Sequence, residues 1–206
     1  MKNLGICRGG ILRVGWPSHQ AKSKAPHAKT AYGAPGPQCY DSAVQDLLQQ
    51  IDLGLRANLY YLSLMSALSV PDMCAALSSP NGQTSGAQYA AWFDQYVAPK
   101  YCGNLDGQTC YQFRCSLIHQ GTTQHPGSQY SRIIFMEPSG HIFHNNVING
   151  ALNIDVRIFC RDVIASATSW ITANQNTATY RQNYPRFIQR YPNGIPPYIV
   201  GAPVIG

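Results

Sequence analysis

The chain has 206 residues, 45% of them apolar and 11% aromatic, enough for one domain with a substantial core. Its formal net charge of +6 is carried by residues 1–30, where Lys2, Arg8, Arg13, Lys22, Lys24 and Lys29 stand without any acid, so nine basic and nine acidic residues remain from position 31 onward. That balance argues against the broad basic surface of a duplex-binding protein, and no run of eighteen or more apolar residues is present to span a bilayer.

Residues 1–40, rich in Gly, Pro, Lys and Ser, read as a flexible basic arm without the apolar stretch and cleavage site of a secretory leader. Ordered structure is predicted to begin at Asp41 or Ser42, either of which suits a helix cap. Val44, Leu47, Leu48, Ile51, Leu55, Leu59 and Leu62 recur at helical spacing and predict one amphipathic helix to about Leu68, with Gly54 a weak point. Pro71 then suits the first turn of a second, short helix carrying Met73 and Leu77. After the turn at Pro80-Asn81-Gly82, Ser85 is placed to cap a helix whose inner face is Tyr89, Trp92, Phe93, Tyr96 and Val97, stopped by Pro99. The next helix starts near Gly107–Thr109, turns Cys110, Phe113, Leu117 and Ile118 inward, and ends with Gly121 as C-cap.

The periodicity then changes. Arg132–Met136 and His141–His144 flank Pro138-Ser139-Gly140 and predict a β-hairpin within 130–147. Asn149 or Asn153 is positioned to cap a long last helix with the face Val156, Phe159, Cys160, Val163, Ala167, Trp170 and Ile171. From 175 to 206, prolines at 185, 192, 196, 197 and 203 predict an extended tail packed on the domain, its Tyr198-Ile199-Val200 segment set against the body or a protein partner, with a short terminal strand as the alternative. The fold class is therefore mainly α: four or five helices around one core, a small hairpin inserted before the last long helix, and a Pro-rich C-terminal tail.

The seven cysteines are odd in number and contain no CxxC pair, which fits reduced thiols in a cytoplasmic protein better than a disulfide framework. Cys74, Cys110 and Cys160 fall on apolar faces as small core residues. His119, His125, His141 and His144 match no compact zinc spacing, so neither a metal nor a cofactor is expected.

The segment Arg114-Cys115-Ser116-Leu117-Ile118-His119 carries the chemistry. Arginine is permanently charged and its planar fork matches phosphate oxygens, while histidine moves protons near neutral pH. RNA supplies its own nucleophile in the ribose 2′-hydroxyl, so an acid, a base and a cation suffice for cleavage. Five helical residues place the two side chains about 140° apart, and they converge only if the last turn loosens, the side chains curl together, or two subunits share the site. Ser116 lies between them and is a candidate to orient a phosphate, or a solvent-facing serine. His144 and Asn145 are candidates to line a substrate pocket.

Arg114 and His119 near the end of a helix resemble the Arg-x4-6-His signature of HEPN (higher eukaryote and prokaryote nucleotide-binding) domains, with Cys115 where that family often has Asn, Asp or His. The likeness covers about residues 41–174. It implies an all-α bundle acting as a homodimeric, metal-independent endoribonuclease, with Arg114 stabilising phosphate and His119 transferring protons. Beside this stands the plain structural reading, in which Arg114 forms a surface ion pair and His119 caps helix carbonyls at the negative end of the helix dipole; a non-catalytic RNA- or protein-binding or assembly module of the same fold is the functional alternative.

Overall fold

The structure, a computed structural model, describes residues 42–206. The basic arm and the expected cap at Asp41 lie outside the described residues. Six α-helices and seven short strands occur among those described. The helices are α1 (Ser42–Arg56), α2 (Tyr60–Ser78), α3 (Gly86–Tyr96), α4 (Gly107–Gln120), α5 (Val156–Asn174) and α6 (Ala178–Asn183). Strands β1 (Arg132–Met136), β2 (Asn146–Ile148) and β3 (Ala151–Asp155) lie between α4 and α5. One core of buried side chains joins the helices to this small sheet.

The single helix predicted from 42 to 68 is broken. Asn58 takes a left-handed φ of 61°, its N–H donates to Leu55 O at 3.2 Å, and Leu59 N–H donates to Gly54 O at 2.8 Å. This pair of bonds is the Schellman arrangement that satisfies terminal carbonyls, with Asn in the place more often held by Gly. The reversal changes which face looks inward: Leu48, Ile51 and Leu55 are buried, whereas Leu59 and Leu62 are exposed.

Pro71 does not start a helix either; it lies inside α2. An interior proline removes one helical hydrogen bond and costs about 3 kcal/mol in an isolated helix. Helix α2 absorbs that cost because it is the central helix, contacting α1, α3, α4, α5 and α6. Leu64, Leu68, Val70, Pro71, Cys74 and Leu77 are all buried along it.

Helices α3 and α4 follow their sequence signals. The Ser85 hydroxyl accepts from Gln88 N–H at 3.3 Å, and Tyr89, Trp92 and Phe93 are buried. After α3 the chain tightens into a 3-10 turn at Ala98–Tyr101, with Pro99 in its first positions. Asp106 caps α4 by accepting from Thr109 N–H at 2.7 Å, and Asp94 accepts from Gly107 N–H at 2.6 Å. A Cβ at Gly107 would collide with the Ala90 backbone, so this glycine permits the close approach of α4 to α3. Gly121 ends α4 in the left-handed region at φ 67°.

The β-hairpin is displaced from its predicted place. Residues 141–144 form no strand. Instead β2 pairs antiparallel with β3, Asn146 opposite Asn153, around a turn at Asn149-Gly150. Strand β1 pairs with β3 in parallel, Arg132 opposite Ala151 through Met136 opposite Asp155, giving the order β1-β3-β2. The apolar run at 132–136 thus finds its partner beyond a long connection, because Leu152 and Ile154 carry the matching buried side chains. Asp155, rather than either asparagine, caps α5 by accepting from Arg157 and Ile158 N–H at 2.8 and 3.0 Å. The predicted inner face of α5 is buried throughout.

The segment from 175 is not the extended tail predicted: it opens with α6 and a 3-10 turn at Tyr184–Arg186, where Tyr180 and Tyr184 are buried in the core, which brings the helices among the described residues to six rather than four or five. Two short ladders follow: Arg190–Tyr191 with Val204–Ile205, and Gly194–Ile195 with Ile199–Val200. Tyr198, Ile199 and Val200 are exposed rather than set against the body, and Ile199–Val200 forms the short strand that was the alternative. Among the described residues no helix is long and apolar enough to cross a membrane.

Candidate functional site

Arg114 and His119 meet within one chain. Arg114 Nη1 lies 3.2 Å from His119 Nε2. Helix α4 runs to Gln120, so the 140° offset is closed by the side chains rather than by unwinding. A guanidinium only donates hydrogen bonds, so Nε2 is the acceptor and the imidazole proton sits on Nδ1. His119 is exposed, while the Arg114 side chain retains 21% of its accessible surface.

The other end of the guanidinium is held by a residue that the sequence reading missed. Asp72 Oδ2 lies 2.8 Å from Arg114 Nη2, with the aspartate side chain only 15% exposed. Burial pushes the Asp72 carboxyl above its ordinary value, and the charge and hydrogen bond of Arg114 pull it back only in part. Burial pulls the Arg114 guanidinium down, and Asp72 with Cys115 more than offsets this. Asp72 had a signal in the sequence: it is the one acid in the apolar stretch Ser69–Leu77, and such an acid on a central helix needs a cation.

Neighbouring groups complete the cluster. Arg114 Nη1 also approaches Cys115 Sγ at 3.9 Å, and a hydrogen bond to that thiol raises the Tyr111 hydroxyl. Beneath them the Tyr89 hydroxyl donates to Leu68 O at 3.1 Å and contacts Cys110 Sγ at 3.4 Å. Burial pushes the Cys110 and Cys160 thiols up to about 12, which suits packing groups rather than nucleophiles.

Ser116 is not a solvent-facing residue. It is 1% exposed and its Oγ has no hydrogen-bond partner, so it cannot reach a phosphate held at the surface by Arg114. His144 and Asn145 are held elsewhere. His144 Nδ1 accepts from Asp155 N–H at 3.3 Å, and its ring stands 5.5 Å from that of Tyr101. Asn104 Nδ2 donates to Asn145 Oδ1 at 3.1 Å. None of these contacts reaches Arg114 or His119, so the two asparagine- and histidine-based candidates are not joined to the pair. His125 Nδ1 accepts from Gly127 N–H at 3.1 Å. Among the described residues no cluster of three or more His, Cys, Asp or Glu could hold a metal ion.

No family model, curated protein or solved structure matches the chain.

The site is thus a line of three groups: a carboxylate anchoring a guanidinium, and the guanidinium occupying the basic nitrogen of an exposed imidazole. Such a line can bind an anion at Nη1 and exchange a proton at Nε2, but not both while the two atoms remain in contact.

Proposed function

We propose that the chain is a metal-independent endoribonuclease of HEPN-like type that works as a homodimer. The observation that carries this reading is the 3.2 Å contact between Arg114 Nη1 and His119 Nε2 at the solvent-facing end of α4. A phosphodiester oxygen arriving at Nη1 takes the hydrogen bond that Nε2 had accepted. Binding of substrate therefore frees the base in the same event that positions the phosphate. Nε2 then removes the ribose 2′-hydroxyl proton, the 2′-oxygen attacks phosphorus, and Arg114 stabilises charge on the phosphorane oxygens. The leaving 5′-oxygen takes a proton from the second subunit's histidine, which acts as the acid in its protonated form, released from its own arginine contact. The products are a 2′,3′-cyclic phosphate and a 5′-hydroxyl end.

A second reading has its own support. Asp72 already neutralises Arg114, which favours a binding or assembly module of the same fold that does not turn over RNA or that engages a protein instead. The exposed Tyr198-Ile199-Val200 segment offers such a module an apolar protein contact.

The deciding experiment incubates wild-type and His119→Ala protein with mixed RNA in EDTA. The ribonuclease reading expects cleavage by wild type alone. Cleavage by neither protein supports the binding module, and equal cleavage by both overturns the assignment of His119.

A further inference from the structure

Strand β1 is an edge of its sheet, since the order is β1-β3-β2. An edge strand presents alternate N–H and C=O groups outward, and these are a template for another strand. Among the described residues the only backbone contact on that edge is Ile133 N–H donating to Thr123 O at 3.3 Å. With Ile133 turned outward, the backbone of Phe135 faces the same way.

An apolar groove of about 330 Å³ runs beside this edge. Leu64, Phe113, Leu117 and Val156 line it, together with Tyr60 and Tyr61 from the start of α2. The groove touches Arg132, Ile133, Ile134 and Phe135 in succession. Successive strand residues point to opposite faces, so a cavity lying against one face would meet only every second residue. Contact with four in a row is what a cavity lying along the edge of β1 makes; Thr123, which also lines the groove, takes the Ile133 N–H there, and the outward backbone groups of Phe135 have no backbone partner among the described residues.

Charge marks the two ends. Arg132 and Glu137 both line the groove and are exposed, and neither has an ion-pair partner among the described residues. They bracket a strand about 17 Å long.

We infer that this groove binds an extended peptide by strand addition to β1. The occupant is a segment of five or so residues whose alternate side chains are apolar and enter the groove. It carries an acidic residue beside Arg132 and a basic residue beside Glu137. Backbone hydrogen bonds to the outer edge supply affinity, the groove selects apolar side chains, and the two charges set direction. This site is independent of the ribonuclease reading, since neither Arg114 nor His119 lines the groove.

The test uses the purified full chain and fluorescein-labelled octapeptides of alternating valine and threonine. One has aspartate at the amino end and lysine at the carboxyl end; the other has the reverse order. Anisotropy titration is expected to show saturable binding with a preference of about fivefold or more for one order. N-methylation of alternate backbone nitrogens in the favoured peptide should weaken it about tenfold or more, with every side chain kept. The double variant Arg132→Glu, Glu137→Arg alters only exposed side chains and should invert the preference. Binding of neither peptide, undiminished binding of both alternately N-methylated registers, or an unchanged preference in the double variant overturns the proposal. So does sedimentation showing that a second copy of the chain, displaced by Arg132→Glu, occupies the edge.

Discussion

Asp72 Oδ2 stands 2.8 Å from Arg114 Nη2, and this ion pair joins the central helix α2 to the helix that carries the candidate chemistry. Because both groups are largely withdrawn from water, removing one strands the other. Arg114→Ala is expected to destabilise the protein by about 2–3 kcal/mol, at the lower end for a buried pair because some solvent screening remains. Pairing Arg114→Met with Asp72→Asn should recover most of that loss, since no charge is then left unpaired. Urea unfolding of wild type and the two variants checks this, and a double variant no better than Arg114→Ala would contradict it.

His144 gives the fold a pH dependence of defined sign. Burial holds its imidazole below the ordinary value of 6.5, against opposing pulls from Asp162 and Asp155. As pH falls below 6.5 the unfolded chain takes up the proton before the folded one does. Stability from this group is therefore complete above 6.5 and is lost as pH drops toward the lower folded-state value. Protonation also removes the acceptor at Nδ1 that Asp155 N–H uses at the start of α5. His144→Asn keeps an acceptor without the titration, and its urea midpoint should fall less than that of wild type between about pH 7 and 5.

Two glycines on helices differ in what a methyl group would meet. At Gly107 a Cβ runs into the Ala90 backbone, which cannot move without separating α3 from α4. At Gly54 the nearest atom is Ser63 Oγ at 2.5 Å, the end of a side chain that can rotate, although it donates to Ile51 O at 3.2 Å. Gly107→Ala is expected to cost about 2–3 kcal/mol. At Gly54 the gain in helix propensity, up to about 1 kcal/mol, should leave alanine close to neutral. Thermal unfolding of both variants distinguishes the two cases.

The elements legible in the sequence were those whose signals are local. Helices α3 and α4 combine a clear apolar period with a cap within a few residues, at Ser85 and Gly121, and α5 shows its apolar face from Val156 to Ile171 although its cap is Asp155 and not the predicted asparagine. What escaped was set by distant packing. The apolar period from Val44 to Leu62 passes straight through Asn58, and the reversal there is held by its capping bonds and by the buried Ser63 hydroxyl donating back to Ile51 O in α1. Pro71 reads as a helix start unless the helices around α2 are known. The partner of β1 is β3, reached in parallel across an intervening strand, so no turn signal marks it. At the site, the likeness of Arg114 and His119 to a known spacing was visible, but Asp72 lies on another helix and enters only through the fold.

In the proposed reaction one guanidinium and one imidazole serve the same phosphodiester, with the ribose hydroxyl as nucleophile. Its most direct test is cleavage in EDTA of a short RNA and of the same RNA with a single 2′-deoxy substitution at the cut nucleotide, by wild-type, Arg114→Ala and His119→Ala proteins. The account expects wild type to release a 2′,3′-cyclic phosphate from the unmodified RNA only, and both variants to lose about 100-fold or more in rate. Cleavage of the deoxy-substituted strand at the same bond, or a His119→Ala protein as fast as wild type, would contradict it.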